Sequence, residues 1–126
     1  MSVNVLVVDD SAAVRKILQR VLRQAEIPVG AFYEAGDGLE ALEILKAHRV
    51  HLVLSDINMP TMDGLSLLSH MRAHTEWRHV PVILITTEGS QAQVLEAVSL
   101  GAAAYIRKPF TADQIREKVA QLLGAA

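Results

Sequence analysis

The sequence contains no cysteine. Disulfides, thiolate metal sites and cysteine nucleophiles are therefore excluded, and a reducing compartment suits the chain. Aromatic residues make up only 4%, too few to sandwich a planar cofactor such as a flavin. No charge of one sign dominates either. The formal net charge is -2, so nothing suggests an electrostatic grip on nucleic acid or on an anionic membrane. Long apolar runs are also missing, and none approaches the roughly 20 residues needed to span a bilayer. The N-terminal apolar stretch, Val5 to Val8, has no basic residue before it and two acids after it. That is the signature of a strand and not of an export signal. These absences predict a cytoplasmic protein with neither nucleic acid nor membrane as a partner.

What is present is a globular composition. Of 126 residues, 51% are hydrophobic and 21% charged, enough for one domain with a real core. Short apolar runs fall at 3–8, 29–34, 51–55, 82–86 and 103–106, and those at 3–8, 51–55 and 82–86 are rich in Val, Ile and Leu. Their lack of polar alternation predicts strands covered on both faces. Between them the period turns helical. Val14, Ile17, Leu18, Val21, Leu22 and Ala25 keep the spacing of one buried helix face. Further helices are predicted near 39–48, 65–73, 91–100 and 112–123. Asp37 with Glu40, Ser90 with Gln93 and Thr111 with Gln114 resemble capping boxes. Asp63 precedes a Gly as Asp37 does, and Gly101 sits where a helix C-cap belongs. Five βα units in order predict an α/β fold, a parallel sheet with helices on both faces. There is no internal repeat, low-complexity segment or linker, and residues 1–126 are expected to form a single domain with no output domain attached.

The polar residues that stand out share one kind of place. Asp9 and Asp10 close the first strand, Asp56 the third and Thr86 the fourth, while Lys108 follows the fifth. In open α/β sheets, sites form beyond the carboxyl ends of the strands where the connections change direction. Three carboxylates gathered there repel one another unless a cation intervenes. Every available ligand is oxygen, which selects a hard ion, and a site with room for water and phosphate suits Mg²⁺ better than Zn²⁺. A carboxylate flanked by a metal ion and a lysine can attack phosphorus, because both cations neutralise the transferring group. Strands lie about 4.8 Å apart, so a fifth strand two places from the third needs a side chain as long as Lys108 to reach Asp56. The short hydroxyl of Thr86 suffices from the adjacent strand.

Four stretches carry a resemblance: Val-Val-Asp-Asp-Ser at 7–11, Ser-Asp-Ile-Asn-Met-Pro-Thr-Met-Asp-Gly at 55–64, Ile-Thr-Thr-Glu at 85–88 and Tyr-Ile-Arg-Lys-Pro-Phe at 105–110. Jointly they are highly specific, and across essentially its whole length the sequence resembles the CheY-type receiver (response regulator) family. The resemblance implies the flavodoxin-like, doubly wound five-stranded sheet of order 2-1-3-4-5 with five helices. It implies that Asp56 is the phosphoacceptor, loaded by a histidine kinase or phosphotransfer protein. Asp10, Asp56 and the Asn58 carbonyl would bind Mg²⁺, and Asp9 would bind it through water. Lys108 would contact the phosphoryl oxygens, with Thr86 and Tyr105 as the switch pair. Asn58, Thr87 and Glu88 would tune dephosphorylation. Thr87 stands where relatives usually carry alanine or glycine, and Ser90, Gln91 and Ala92 replace basic residues common in CheY. The resemblance further implies a cis Lys108–Pro109 bond. It also implies a separate output protein docking on the face of the fourth helix, fifth strand and fifth helix, in chemotaxis or another process. The expected state is a monomer, with phosphorylation-dependent dimerisation as the variant. Such a chain catalyses only its own phosphorylation and dephosphorylation.

Each of these residues has a plainer reading. Asp9 and Asp10 could simply cap the first helix, as Asp37 and Asp63 are expected to cap theirs. Tyr105 could be a half-buried sheet aromatic. His70 and His74 have the i, i+4 spacing of a metal pair but lack a third ligand nearby. Trp77, beside Arg78, is read as a packing or cation–π contact. As a whole, the chain competes with a phosphate sink or relay intermediate, with a hydrolase or phosphotransferase acting on external substrates, and with a flavodoxin-like electron carrier. The enzyme reading needs a substrate pocket that so short a chain can hardly supply.

Overall fold

The computed structural model describes residues 2–87 and 90–123. Along them the elements alternate as β1 (Val3–Val8), α1 (Ala12–Gln24), β2 (Val29–Ala35), α2 (Gly38–Ala47) and β3 (Leu52–Ser55). The second half continues as α3 (Gly64–Ala73), β4 (Val82–Thr86), α4 (Gln91–Ser99), β5 (Ala104–Arg107) and α5 (Ala112–Leu123). All pairings are parallel, in the order β2-β1-β3-β4-β5. This is the flavodoxin-like α/β fold that the resemblance implied.

The unbroken apolar strands have a simple cause. Val5, Val7, Leu52, Leu54, Ile83 and Ile85 point to one side, where Leu18, Val21 and Leu22 of α1 and Ile115 and Val119 of α5 cover them. Leu6, Val8, Val53, Val82 and Leu84 point to the other, against α2, α3 and α4. With both faces dry, period-two alternation has no reason to appear. Helix starts are equally well determined. Ser11, Asp37, Asp63 and Ser90 each accept the amide three residues on, and Thr111 and Gln114 form a reciprocal capping box. Each cap contributes about 1 kcal/mol. Among the described residues no helix is long and apolar enough to cross a membrane.

Four strand ends, on three strands, differ by one residue from the sequence reading. The second strand runs on to Ala35, whose carbonyl accepts the Asp9 amide. The third begins at Leu52, because the His51 ring nitrogen takes the Asn4 amide in place of a backbone carbonyl. The fifth is shifted by one at both ends: it begins at Ala104, after the turn at Gly101 (φ 91°), and runs on to Arg107, which pairs with Thr86. Trp77 is buried and stacks on His74 at 3.8 Å, which makes it a packing residue. His70 holds the Ser66 carbonyl, and among the described residues neither His70 nor His74 joins a metal-ligating cluster.

Candidate functional site

Strand register builds the site. Val8 pairs with Ser55, so the next residue on each strand, Asp9 and Asp56, emerges side by side at the carboxyl edge. The Asp56 amide donates to the Val8 carbonyl at 2.9 Å, which carries the pairing one step further. Oxygens of Asp9, Asp10 and Asp56 lie within 4.8 Å of one another. Asp9 is buried, Asp56 half-buried and Asp10 exposed. The capping alternative for Asp9 and Asp10 fails, because Ser11 is the N-cap of α1.

Lys108 crosses to the acids from the far strand. Thr86 pairs with Arg107, and the Lys108 amide donates to the Thr86 carbonyl at 2.8 Å, which places the lysine at the same edge. Its Nζ lies 3.0 Å from Asp9 Oδ2 and 3.3 Å from Asp56 Oδ2. The Lys108–Pro109 bond is cis. Burial alone would lower the Lys108 pKa. The hydrogen bond to Asp9 and the charges of Asp56 and Asp9 outweigh burial and hold the ammonium above its ordinary value.

The acids are held tightly. Asp9 Oδ1 accepts the Ser11 amide at 2.8 Å, and Asp56 Oδ1 accepts the Ile57 amide at 2.7 Å. A glycine is required behind Asp56: a Cβ on Gly64 would run into the Asp56 carbonyl oxygen. The Gly64 amide also donates to the Ile57 carbonyl, so α3 starts pressed against the acidic loop. That loop turns through Thr61 at φ 66°, and the Met62 carbonyl anchors the Gly38 amide of α2.

The remaining site residues are spread around this centre. Thr86 is fully buried at the end of β4, next to the strand that carries Asp56. Tyr105 is half-buried opposite Leu84, and its hydroxyl reaches Gln93 of α4 at 3.5 Å. Asn58 and Thr87 are exposed in the loops after β3 and β4, and Glu88 lies outside the described residues. Sequence reasoning missed Arg15, which donates from Nη1 to the Asp9 carbonyl at 2.6 Å and from Nε to Glu34 at 3.1 Å. The available signal was a cation in the first turn of a helix, where the dipole disfavours it.

Three carboxylates with no nitrogen or sulfur donor suit a hard cation, so the residues present fit Mg²⁺.

Comparison with known proteins agrees with this geometry. The family profile described as the response regulator receiver domain matches residues 5–120. The chain is 41% identical to the chemotaxis protein CheY-3 of Vibrio cholerae, covering 94% of this chain and 89% of that one. It is 40% identical to the chemotaxis protein CheY1 of Helicobacter pylori, covering 94% and 95%. Among solved structures, chemotaxis protein CheY4 of Vibrio cholerae superposes with a TM-score of 0.86 at 29% identity, covering 97% and 99%. A putative response regulator from Chloroflexus aurantiacus does so with a TM-score of 0.89 at 27% identity, covering 98% and 99%. An acidic cluster faced by a lysine, at the carboxyl edge of a 2-1-3-4-5 sheet, therefore has a family to go with it: the chain belongs to the response regulator receiver domains, the phosphoacceptor modules of two-component signalling.

Proposed function

We propose that Asp56 takes a phosphoryl group from the phosphohistidine of a histidine kinase or phosphotransfer protein. An Asp56 carboxylate oxygen forms the new O–P bond as the P–N bond breaks. The donor imidazole keeps that electron pair and takes a proton from water. The observation that carries this reading is Lys108, whose ammonium stands 3.3 Å from Asp56 and 3.0 Å from Asp9 within a cluster of three carboxylates. From there it can neutralise charge on the transferring oxygens. Asp10, Asp56 and the Asn58 carbonyl would hold Mg²⁺, which when bound supplies further neutralisation of the phosphoryl group. Asp9 acts on the ion through water, a role supported by its two carboxylate oxygens, which already accept from Ser11 and Lys108. The chain thus acts on its own Asp56, and Asn58, Thr87 and Glu88 set how long the phosphoryl group lasts.

The output follows from β4 and β5. New phosphoryl oxygens draw the Thr86 hydroxyl and its loop toward Asp56. Tyr105 then turns inward and leaves Gln93, which remodels the face made by α4, β5 and α5. Helix α4 exposes two large apolar residues, Leu95 at 63% and Val98 at 64%, a feature that supports docking of a separate output protein. A coupling of roughly 1–3 kcal/mol between phosphorylation and docking is typical. The relatives at 41% and 40% identity are chemotaxis proteins, which supports the same setting here. Residues 1–126 act as one receiver domain, monomeric before phosphorylation and cytoplasmic.

Amide hydrogen exchange with and without beryllofluoride, a phosphoryl mimic on Asp56, tests the switch. Protection should change around Asp56, at Tyr105 and in α4. A change confined to Asp56 would refute the switch and favour a phosphate sink.

A further inference from the structure

Arg15 breaks a local rule. It sits in the first turn of α1, where the helix dipole favours an anion, and that turn contains no acidic residue. Residues that violate a local preference tend to mark function. The Arg15 guanidinium makes two directed contacts: to the Asp9 carbonyl at 2.6 Å and to Glu34 Oε1 at 3.1 Å. Its side chain is only 19% exposed. With this contact every polar atom of Asp9 has a partner. The amide donates to Ala35, the carbonyl accepts from Arg15, and the two carboxylate oxygens accept from Ser11 and Lys108.

We propose that Arg15, oriented by Glu34, is a positioning residue for the metal site. By fixing the Asp9 carbonyl it fixes the peptide plane that leads to Asp10, and so aims an otherwise exposed carboxylate at the cation. This rests on the reading of Asp10 as a metal ligand given above.

A purely electrostatic role predicts the opposite sign. Asp9, Asp10, Asp56 and Glu34 outnumber Lys108 and Arg15, so removing a cation from this cluster strengthens its attraction for a metal ion. Removing a brace weakens it. Arg15→Ala separates the two by direction alone. Arg15→Lys separates them again, because a single ammonium keeps the charge but cannot reproduce a planar fork gripping two acceptors.

The test is calorimetric titration of the full chain with Mg²⁺, alongside Mn²⁺ binding followed by electron paramagnetic resonance. Metal-free melts confirm that each variant is folded. Arg15→Ala, Arg15→Lys and Glu34→Ala should each weaken binding by roughly tenfold, as for other residues that orient metal ligands. In Arg15→Lys, the half-saturating Mg²⁺ for phosphorylation by acetyl phosphate should rise with the maximal rate retained. Should Arg15→Ala fail to fold, Arg15→Lys decides, because loss of the Glu34 charge weakens binding under either reading. Unchanged or tighter binding in Arg15→Lys overturns the positioning role. Asp10→Asn serves as the control: wild-type Mg²⁺ affinity there would overturn the metal reading itself together with this inference. Lost affinity in Asp10→Asn beside unchanged affinity in Arg15→Lys would remove the positioning role alone.

Discussion

Asp10→Asn should stabilise the metal-free protein. The substitution preserves shape and removes one of three carboxylates whose oxygens lie within 4.8 Å of one another. At that separation two unit charges repel by roughly 3.5 kcal/mol at an effective dielectric of about 20, and by roughly 0.9 kcal/mol in bulk water. Asp10 is exposed, and Lys108 offsets both Asp9 and Asp56. Both facts pull the net repulsion toward the lower figure. The expected gain is about 1 kcal/mol, or roughly 3–5 °C in Tm for a domain of this size. Mg²⁺ should reverse the order. At ten times its Kd a bound ion adds about 1.4 kcal/mol to the wild type, whereas the variant, short of a ligand, gains little. Thermal melts in EDTA and then in millimolar Mg²⁺ should therefore cross. A variant less stable than wild type in EDTA would refute the claim of mutual repulsion, and an equal Mg²⁺ gain in both proteins would remove Asp10 from the ligand set.

Thr61 holds φ 66° with a β-branched side chain, so Thr61→Gly should stabilise the protein by about 1 kcal/mol in denaturant titration. Gly64→Ala should do the reverse, costing about 3 kcal/mol and slowing phosphorylation, because its Cβ meets the Asp56 backbone and not a flexible side-chain end. The raised pKa of Lys108 gives a pH signature. Its contribution to stability is fully present below about 10.5, the ordinary lysine value, and is lost as pH rises through the higher folded value. The Tm gap between wild type and Lys108→Met should accordingly stay constant near neutrality and narrow only in the alkaline range above that value.

Much of this was legible in the sequence because it is written locally. Five short apolar runs between helical periods suffice to give the sheet, and caps such as Asp37, Asp63 and Thr111 fix helix starts within a residue. The motif residues Asp9, Asp10, Asp56 and Lys108 fall at strand ends, where the parallel register brings them together. What escaped depends on contacts between distant segments. Glu34 reads as the last polar residue of a strand until β2 lies beside β1 and Arg15 reaches across to it. Gly64 looks like a helix-start glycine, and only the approach of α3 to Asp56 shows why no side chain fits. Asn4 interrupts an apolar strand for a similar reason. Its side chain binds Ala31 and Arg49 at a register shift between β1 and β2, which no period encodes.

The phosphoryl acceptor itself is open to direct measurement. The purified chain, incubated with acetyl phosphate and Mg²⁺, should gain the mass of a single phosphoryl group, and peptide mapping after borohydride trapping should place it on Asp56. The adduct should disappear with EDTA and in Asp56→Asn, and form far more slowly in Lys108→Met. A phosphoryl adduct that persists in Asp56→Asn, or that forms at the wild-type rate without metal, would contradict the assignment.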